Sequence, residues 1–404
     1  MTQRLAHKTS MFSQLRKGPL KVSIIGSGNW GTCIARIVAE NVQQSYIFDN
    51  EVKIWVHADL TYEGEQLVKV MQRDRENKTY LPGYMLSDNL ICLSDIVETV
   101  KDADLLVFVL PHQFVTAVCD SMVGHVKPSC RGISLVKGFH VENGRPVLFT
   151  SIIENILGID MAMMSGANVA NDIARGEFSE TTIGYKGADM AAIWQQLFDR
   201  PYFKVNCVPD VDGVQICGAV KNIIALSAGF CEGLGLGTNT KSAIIRIGVE
   251  EMKMFGLLFF DGILEETFFD SCGFADVITT CFGGRNVRCA AEFTRRGGRR
   301  FTSWEAIEHD LLGGMKMQGH LTCEEVYSVL KHNGLCEHFP LFSATYAVAF
   351  GDLDASEFLT AFKTNETRPA KNADECHEGV IPPTLRELKL SLHRPERSPT
   401  NGSL

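Results

Sequence analysis

A glycine-rich turn near the start of the chain constrains the fold more than any other feature. A β-branched run from Val22 to Ile25 stops at the segment GSGNWG (residues 26–31), and a helical pattern follows. In such a strand–turn–helix unit the first glycine permits the tight turn, the second lets a phosphate approach the backbone, and the third lets the helix pack against the sheet. The free N–H groups of the helix N-terminus favour an anion. The turn therefore predicts a dinucleotide pyrophosphate site, and the alternative is a tight turn without a ligand.

The pattern of apolar residues divides the chain into two parts. Short apolar runs alternate with helical patterns up to about residue 206, which predicts a Rossmann-type, doubly wound α/β domain over residues 21–208. Beyond residue 209 the apolar residues recur at helical spacing, so we expect an all-α substrate domain over residues 209–362. Residues 1–20 are expected to form a flexible leader, and the polar residues 363–404 a disordered tail.

Composition and charge exclude several classes of protein. The net charge of −9 argues against a nucleic-acid binder that acts by bulk attraction, but not against a local basic pocket for a small anion. The 13 cysteines include no CxxC pair, which disfavours zinc and thioredoxin-like sites, and we predict no metal. No apolar run reaches the roughly 18 to 20 residues of a membrane span. We expect a cytoplasmic protein; because the leader is basic, with no acidic residue before Glu40, organelle targeting is the alternative.

The acidic residue that follows the second strand bears on the kind of dinucleotide. NAD-binding domains usually place an Asp or Glu about 20 residues after the glycine turn, at the end of the next strand. That strand ends here in Trp55-Val56-His57-Ala58-Asp59, so Asp59 is the nearby acid, slightly late, and no arginine is present for a 2′-phosphate. The nearby acid and the lack of an arginine together favour NAD over NADP.

Two segments of the helical part carry residues suited to acid–base chemistry and phosphate binding. Lys221, in GAVKNIIA, lies among apolar residues that would desolvate it and lower its pKa, and the alternative is a surface lysine with a buried stem. In FADVITTCFGGRN (274–286), an acid, Asp276, precedes a double glycine and Arg285. Because arginine binds phosphate with two parallel hydrogen bonds, this segment is a candidate pocket for a phosphorylated substrate, and the alternative is an ordinary loop arginine.

Further candidates follow the predicted parallel strands. Phe114 comes after one strand, Lys137 after the next, and Asn168 and Ala170 after a third. Ligands of open α/β sheets bind at the carboxyl ends of the strands, so these residues are expected to line one crevice.

Taken together, these motifs resemble those of the eukaryotic, cytosolic-type NAD-dependent glycerol-3-phosphate dehydrogenase family. The matching segments occur in the family's order over roughly residues 20 to 360, and they are GSGNWGT, PHQF, SLVKG, SGANVA, ETTIG, GAVKNIIA, GTNTKSAIIR, DVITTCFGGRN and MKMQG. The resemblance implies that the enzyme interconverts dihydroxyacetone phosphate and glycerol 3-phosphate with NAD(H). It also implies a homodimer whose helical domain closes over the cleft.

The resemblance also implies roles for individual residues. Lys221 corresponds to the lysine that exchanges the proton, Asp276 to the acid that supports it, and Lys137 to a second active-site lysine. The residues that correspond to substrate contacts are Lys137, Asn222, Thr280, Arg285 and Asn286. Those that correspond to cofactor contacts are Gly26, Ser27, Gly28, Asn29, Trp30, Gly31, Phe114, Lys137, Asn168, Ala170, Arg285 and Gln318.

One residue departs from the family pattern, and two other functions stay open. His57 stands where a phenylalanine is expected at the adenosine end of the cofactor. The rival enzyme is another two-domain dehydrogenase of the same architecture, acting on a 3-hydroxy acid or a sugar. The rival of another class is an NAD sensor without catalysis, which is expected to lack Lys221, Lys137 or Asp276.

Overall fold

An eight-stranded sheet forms the core of the first part of the chain, in a computed structural model that describes residues 18–313, 316–360 and 383–392. Strands are numbered along the chain, and the order across this sheet is β14-β13-β12-β9-β8-β1-β2-β7. Its strands are β1 (Leu20–Ile25), β2 (Phe48–Trp55), β7 (Leu90–Leu93), β8 (Leu105–Phe108), β9 (Arg131–Ser134), β12 (Asp160–Ser165), β13 (Ser179–Gly184) and β14 (Phe203–Val208). All neighbours pair in parallel except β12 and β13.

The chain reverses its direction across the sheet at β1, which lies between β2 and β8. At such a switch point the connections leave toward opposite sides, and a crevice opens beyond the strands' carboxyl ends. All four residues of β8 are buried, as a parallel strand covered on both faces should be.

Seven helices and three small hairpins complete this part of the chain. The helices are α1 (Asn29–Val42), α2 (Leu67–Asp74), α3 (Ile96–Val100), α4 (Val115–Met122), α5 (Phe149–Leu157), α6 (Ala170–Ala174) and α7 (Ala188–Phe198). The hairpins pair β3 (Thr61–Tyr62) with β4 (Glu65–Gln66), β5 (Glu76–Asn77) with β6 (Leu81–Met85), and β10 (Phe139–Glu142) with β11 (Arg145–Leu148). The buried face of α1 includes Ile34, Ile37 and Val38, which pack into the core on one side of the sheet.

The last strand of the described chain ends at Val208, and the regular elements described beyond it are helices. The central one is α8 (Val211–Gly233), and around it lie α9 (Thr238–Phe259), α10 (Asp276–Gly283), α11 (Arg285–Arg295), α12 (Trp304–Leu312), α13 (Gly319–His332) and α14 (Pro340–Ala349). Among the described residues, α8 alone is long and apolar enough to span a membrane by composition, but its apolar window is completely buried within the fold. Such burial is the property of a core helix.

The structure corrects the prediction for part of the C-terminal tail. Within the segment predicted to be disordered, Pro383–Leu392 forms a helix, α15. Lys389 Nζ donates to the carbonyl oxygens of Leu257 and Phe260 at 2.9 and 2.7 Å and thereby satisfies groups that the end of α9 leaves unpaired. The prediction of disorder relied on the low apolar content of the tail, and composition cannot show such a tertiary contact. The rest of the tail and residues 1–17 of the leader lie outside the described residues; β1 begins at Leu20, one residue earlier than predicted.

Candidate active site

The three glycines of the turn after β1 have different surroundings. Gly26 has a φ of +119°, and a Cβ on it would lie 2.3 Å from the carbonyl oxygen of Val109. A Cβ on Gly31 would lie 2.3 Å from the carbonyl oxygen of Gly26, so α1 packs directly against the turn. A Cβ on Gly28 would meet no protein atom within 4 Å among the described residues. The first and third glycines are therefore required by the fold, whereas the second leaves its backbone open to a ligand.

A buried asparagine that the sequence analysis missed holds this turn in shape. Asn77 Nδ2 donates to the carbonyl oxygen of Ser27 and to Thr32 Oγ1, both at 2.8 Å. Asn77 follows the turn by some 50 residues and belongs to no recognisable motif, so only the tertiary structure identifies it. From the turn itself, Asn29 Nδ2 donates to the carbonyl oxygen of Tyr80 at 2.6 Å.

The turn has the properties needed to bind a pyrophosphate. Within the described residues no side chain caps the N-terminus of α1, which leaves its first N–H groups beside the open Cβ position of Gly28. Ser27 Oγ is buried and has no hydrogen-bond partner within the described part of the chain. A phosphate oxygen would satisfy both. Trp30 contributes only its backbone here, because its indole packs edge-on against Phe203 at 6.1 Å between ring centroids.

The residues predicted at the strand ends lie beyond the carboxyl ends of β8, β9 and β12, as expected. Phe114 lies in a helical turn after β8 (His112–Phe114), and 53% of it is exposed. Asn168, after β12, uses its amide to hold β13: Nδ2 donates to the carbonyl oxygen of Glu180 at 2.8 Å, and Oδ1 accepts from Thr181 Oγ1 at 2.9 Å. Ala170 is buried at the first position of α6, where its carbonyl oxygen accepts from Cys33 Sγ at 3.4 Å.

The segment after β2 occupies the region predicted for the adenosine end. The ring of His57 meets that of Trp55 edge to face, with 5.6 Å between the centroids. Asp59 lies close by, with Oδ2 3.8 Å from His57 Nδ1, and its side chain is 91% exposed. An imidazole therefore takes the place of the expected phenylalanine and presents a polar edge there.

Two lysines from different parts of the chain meet at one buried carboxylate. Asp276 begins α10 directly after a π-helical turn (Ser271–Ala275), an irregularity that is frequent at functional sites. Its Oδ1 forms a salt bridge with Lys221 Nζ from α8, and its Oδ2 lies 3.2 Å from Lys137 Nζ. Lys221 Nζ also donates to Thr280 Oγ1 at 2.9 Å. The side chains of Lys221 and Asp276 are only 6% and 3% exposed, whereas that of Lys137 is 37% exposed.

The environment of Lys221 lowers its pKa to about 7. Burial has the largest effect because it penalises the charged ammonium, and the nearby positive charge of Lys137 acts in the same direction. The carboxylate of Asp276 opposes both and keeps the pKa from falling further. Lys221 can therefore gain and lose a proton near neutral pH, as a general acid or base must.

A second polar group, Asn286, links α8 to α11 and to the start of α13. Asn286 Nδ2 donates to Asn222 Oδ1 at 2.9 Å, and Asn286 Oδ1 accepts from the N–H of Gly319 at 3.1 Å. Arg285 is exposed at the first position of α11, and Gln318 is half-buried just before α13. Hydrogen bonds thus join Lys221 to Thr280 and Asn222 to Asn286. Arg285 and Gln318 are the chain neighbours of two members of this network, Asn286 and Gly319.

Comparisons with known proteins match both parts of the chain to one family. A family model described as the N-terminus of NAD-dependent glycerol-3-phosphate dehydrogenase matches residues 21–191, and its C-terminal counterpart matches residues 210–360. The chain is 44% identical over 340 residues to the cytoplasmic glycerol-3-phosphate dehydrogenase [NAD(+)] of Homo sapiens, covering 84% of this chain and 96% of the relative. It is 45% identical over 347 residues to the chloroplastic glycerol-3-phosphate dehydrogenase [NAD(+)] 1 of Arabidopsis thaliana, and the match covers 86% of this chain and 86% of the relative.

A solved structure supports the same assignment. The glycerol-3-phosphate dehydrogenase of Plasmodium falciparum superposes with a TM-score of 0.84 at 42% identity, and the match covers 88% of this chain and 99% of that one. The fold predicted from the sequence is confirmed, and the predicted NAD(H) cofactor agrees with the family's description. The sensor without catalysis is thereby set aside. The chain belongs to the family of NAD-dependent glycerol-3-phosphate dehydrogenases, and it is an oxidoreductase.

Proposed function

We propose that this enzyme reversibly reduces dihydroxyacetone phosphate to sn-glycerol 3-phosphate, with Lys221 as the general acid and base. The observation that carries the proposal is the Asp276 carboxylate that joins buried Lys221 to the more exposed Lys137. Reduction of a ketone adds a hydride to carbon and a proton to oxygen, so a proton donor must lie beside that oxygen. When bound, NADH supplies the hydride.

In this mechanism the two lysines act on the same oxygen. Negative charge grows on the carbonyl oxygen as the carbon accepts the hydride, and two positive charges held by the buried Asp276 carboxylate stabilise it. Lys221 donates its proton to that oxygen and takes one back in the reverse direction. Asp276 orients Lys221 and supports its charged form, and Lys137 is the second positive charge.

Arg285 is proposed to hold the substrate phosphate. It begins α11, whose N-terminus has no side-chain cap among the residues that the structure describes, so backbone N–H groups and the guanidinium can bind the same anion. Asn286, Asn222 and Thr280 line the path from this helix end to Lys221. Binding energy at the phosphate orients the distant carbonyl carbon for reaction.

The cofactor is proposed to lie along the carboxyl ends of β1, β8, β9 and β12. Residues 26–31 would hold the pyrophosphate, and Phe114, Asn168, Ala170 and Gln318 would line the rest of the site with Lys137 and Arg285. We therefore propose that residues 21–208 form the cofactor domain and residues 209–362 the substrate domain.

The experiment that tests the proposal follows NADH absorbance with the purified full chain. We expect rapid oxidation of NADH with dihydroxyacetone phosphate, much slower oxidation of NADPH, and little turnover of unphosphorylated dihydroxyacetone. Lys221→Met should abolish turnover while NADH still binds, as judged by quenching of its fluorescence. Equal rates with and without the phosphate would instead favour the dehydrogenase of an unphosphorylated hydroxy substrate.

We further infer a cytoplasmic homodimer. The family resemblance supports the dimer, and the human relative that carries the word cytoplasmic in its name supports the location. The chloroplastic relative makes targeting by the basic leader the competing outcome. Sedimentation equilibrium of the full chain and imaging of a C-terminal fluorescent fusion test the two inferences.

A further inference from the structure

Buried side chains fix the main chain on both sides of Gln318. The N–H of Met317, just before it, donates to Glu308 Oε1 at 2.8 Å. The N–H of Gly319, just after it, donates to Asn286 Oδ1 at 3.1 Å. The main chain on either side of Gln318 is therefore held by two side-chain acceptors, of which only Asn286 belongs to the motifs of the site.

Glu308 is an unusual residue for its position on α12. It is 2% exposed, and a buried carboxylate is costly unless hydrogen bonds compensate it. Its Oε2 accepts from Lys316 Nζ at 2.8 Å, and Lys316 is itself 67% exposed. His320 lies on the far side, with Nδ1 4.0 Å from Glu308 Oε1, and its ring stacks on Trp304.

The bond from Met317 is the part of this arrangement that reaches the active site. A charge-assisted bond from a backbone N–H is shorter and about twice as strong as a neutral one. It fixes the peptide adjacent to Gln318, whereas the pair with Lys316 is largely hydrated and contributes little.

We propose that Glu308 is a positioning residue, which orients Gln318 toward the cofactor through the Met317 peptide. The inference rests on the proposed function, because that function places Gln318 among the cofactor contacts. Glu308 acts through another residue and touches neither cofactor nor substrate.

Substitution of Glu308 should weaken cofactor binding without disabling the chemistry. In Glu308→Ala we expect KM for NADH to rise about tenfold, by analogy with the roughly 10- to 100-fold loss on removing a residue that orients a metal ligand. The value of kcat at saturating NADH should change less than threefold. Glu308→Gln should restore most of the affinity, because its amide oxygen still accepts the N–H of Met317 although the ion pair with Lys316 is lost.

Two controls separate positioning from a general loss of stability. Glu305→Gln makes the same charge change at an exposed position of the same helix and should leave KM for NADH unchanged. In the double variant of Glu308→Ala with Gln318→Ala, the rise in KM should not exceed that of Gln318→Ala alone, because both changes remove the same contact. If Glu308→Ala does not fold, Glu308→Leu fills the volume without accepting the bond.

The outcomes distinguish this inference from the proposed function. Two outcomes overturn the role of Glu308 and leave the proposed function intact. One is full additivity of the two effects on KM for NADH in the double variant, and the other is a KM for NADH that is raised in Gln318→Ala but unchanged in Glu308→Ala. Failure of Glu308→Gln to restore affinity assigns the effect to the ion pair and also overturns it. An unchanged KM for NADH in Gln318→Ala removes Gln318 from the cofactor site and Glu308 with it, while turnover of dihydroxyacetone phosphate still tests the reaction.

Discussion

The shared carboxylate of Asp276 permits a test of the acid–base assignment by the direction of a pKa shift. Asp276→Asn keeps the shape of the side chain but removes the negative charge beside Lys221 Nζ. Burial and Lys137 then act on Lys221 without opposition, and both favour the neutral amine. We expect the pKa of Lys221 to fall below its starting value of about 7.

Elementary electrostatics gives the size of this fall. Two unit charges roughly 4 Å apart at an effective dielectric constant of about 20 attract by about 4 kcal/mol, or about 3 pKa units. Measured effects of one neighbouring charge are about 1 to 3 units, so we expect a fall of about 2 units. At pH 7 the protonated fraction of Lys221 would drop from about one half to about 1%, and reduction at that pH would slow roughly 50-fold.

The assay is the pH dependence of kcat/KM for dihydroxyacetone phosphate at saturating NADH. Reduction needs protonated Lys221, so the wild-type rate should be lost as the pH rises through about 7. Oxidation of glycerol 3-phosphate needs the neutral amine and should gain rate over the same interval. In Asp276→Asn both limbs should move to lower pH.

The opposite shift is expected when the neighbouring positive charge is removed. Lys137→Gln abolishes a charge that disfavours protonation of Lys221, so both limbs should move to higher pH. The move should be smaller, about half a unit, because the Lys137 side chain is 37% exposed and solvent screens it. Limbs that stay near pH 7 in both variants would refute the assignment of the titrating group to Lys221.

Three further predictions concern other parts of the molecule. In Arg285→Ala the loss of charge-assisted hydrogen bonds worth about 2 to 3 kcal/mol should raise KM for dihydroxyacetone phosphate roughly 30- to 150-fold. Arg288→Ala, at an exposed position of the same helix, should leave this KM unchanged, and equal KM values in Arg285→Ala and the wild type would remove Arg285 from the phosphate site. Gly28→Ala should raise KM for NADH at an unchanged Tm, whereas Gly31→Ala should lower Tm because its Cβ would meet the carbonyl oxygen of Gly26; a destabilised Gly28→Ala would contradict this. Lys389→Ala should loosen α15, detected as faster limited proteolysis of the C-terminus, and unchanged protection would show that other contacts hold the helix.

Short-range sequence patterns determined much of the fold of this protein. The turn at Gly26, Gly28 and Gly31 follows from the backbone demands of a strand–turn–helix unit, which depend on neighbouring residues only. The alternation of apolar runs likewise predicted the sheet and the later helices, because burial imposes a period on each kind of element. The ordered motifs then indicated the family and its site residues.

Tertiary structure alone decided which distant residues meet. The sequence offered two opposing interpretations of Lys221, and only the packing of α8 shows that it is buried beside Asp276. Asn77 holds the turn some 50 residues before it, and Glu308 holds the Met317 peptide beyond the end of its own helix. Helix α15 likewise makes tertiary contacts, through Lys389 at the end of α9 and through Leu388 and Leu392 on the helical core. Such contacts depend on positions in space rather than on spacing along the chain, so no local pattern records them.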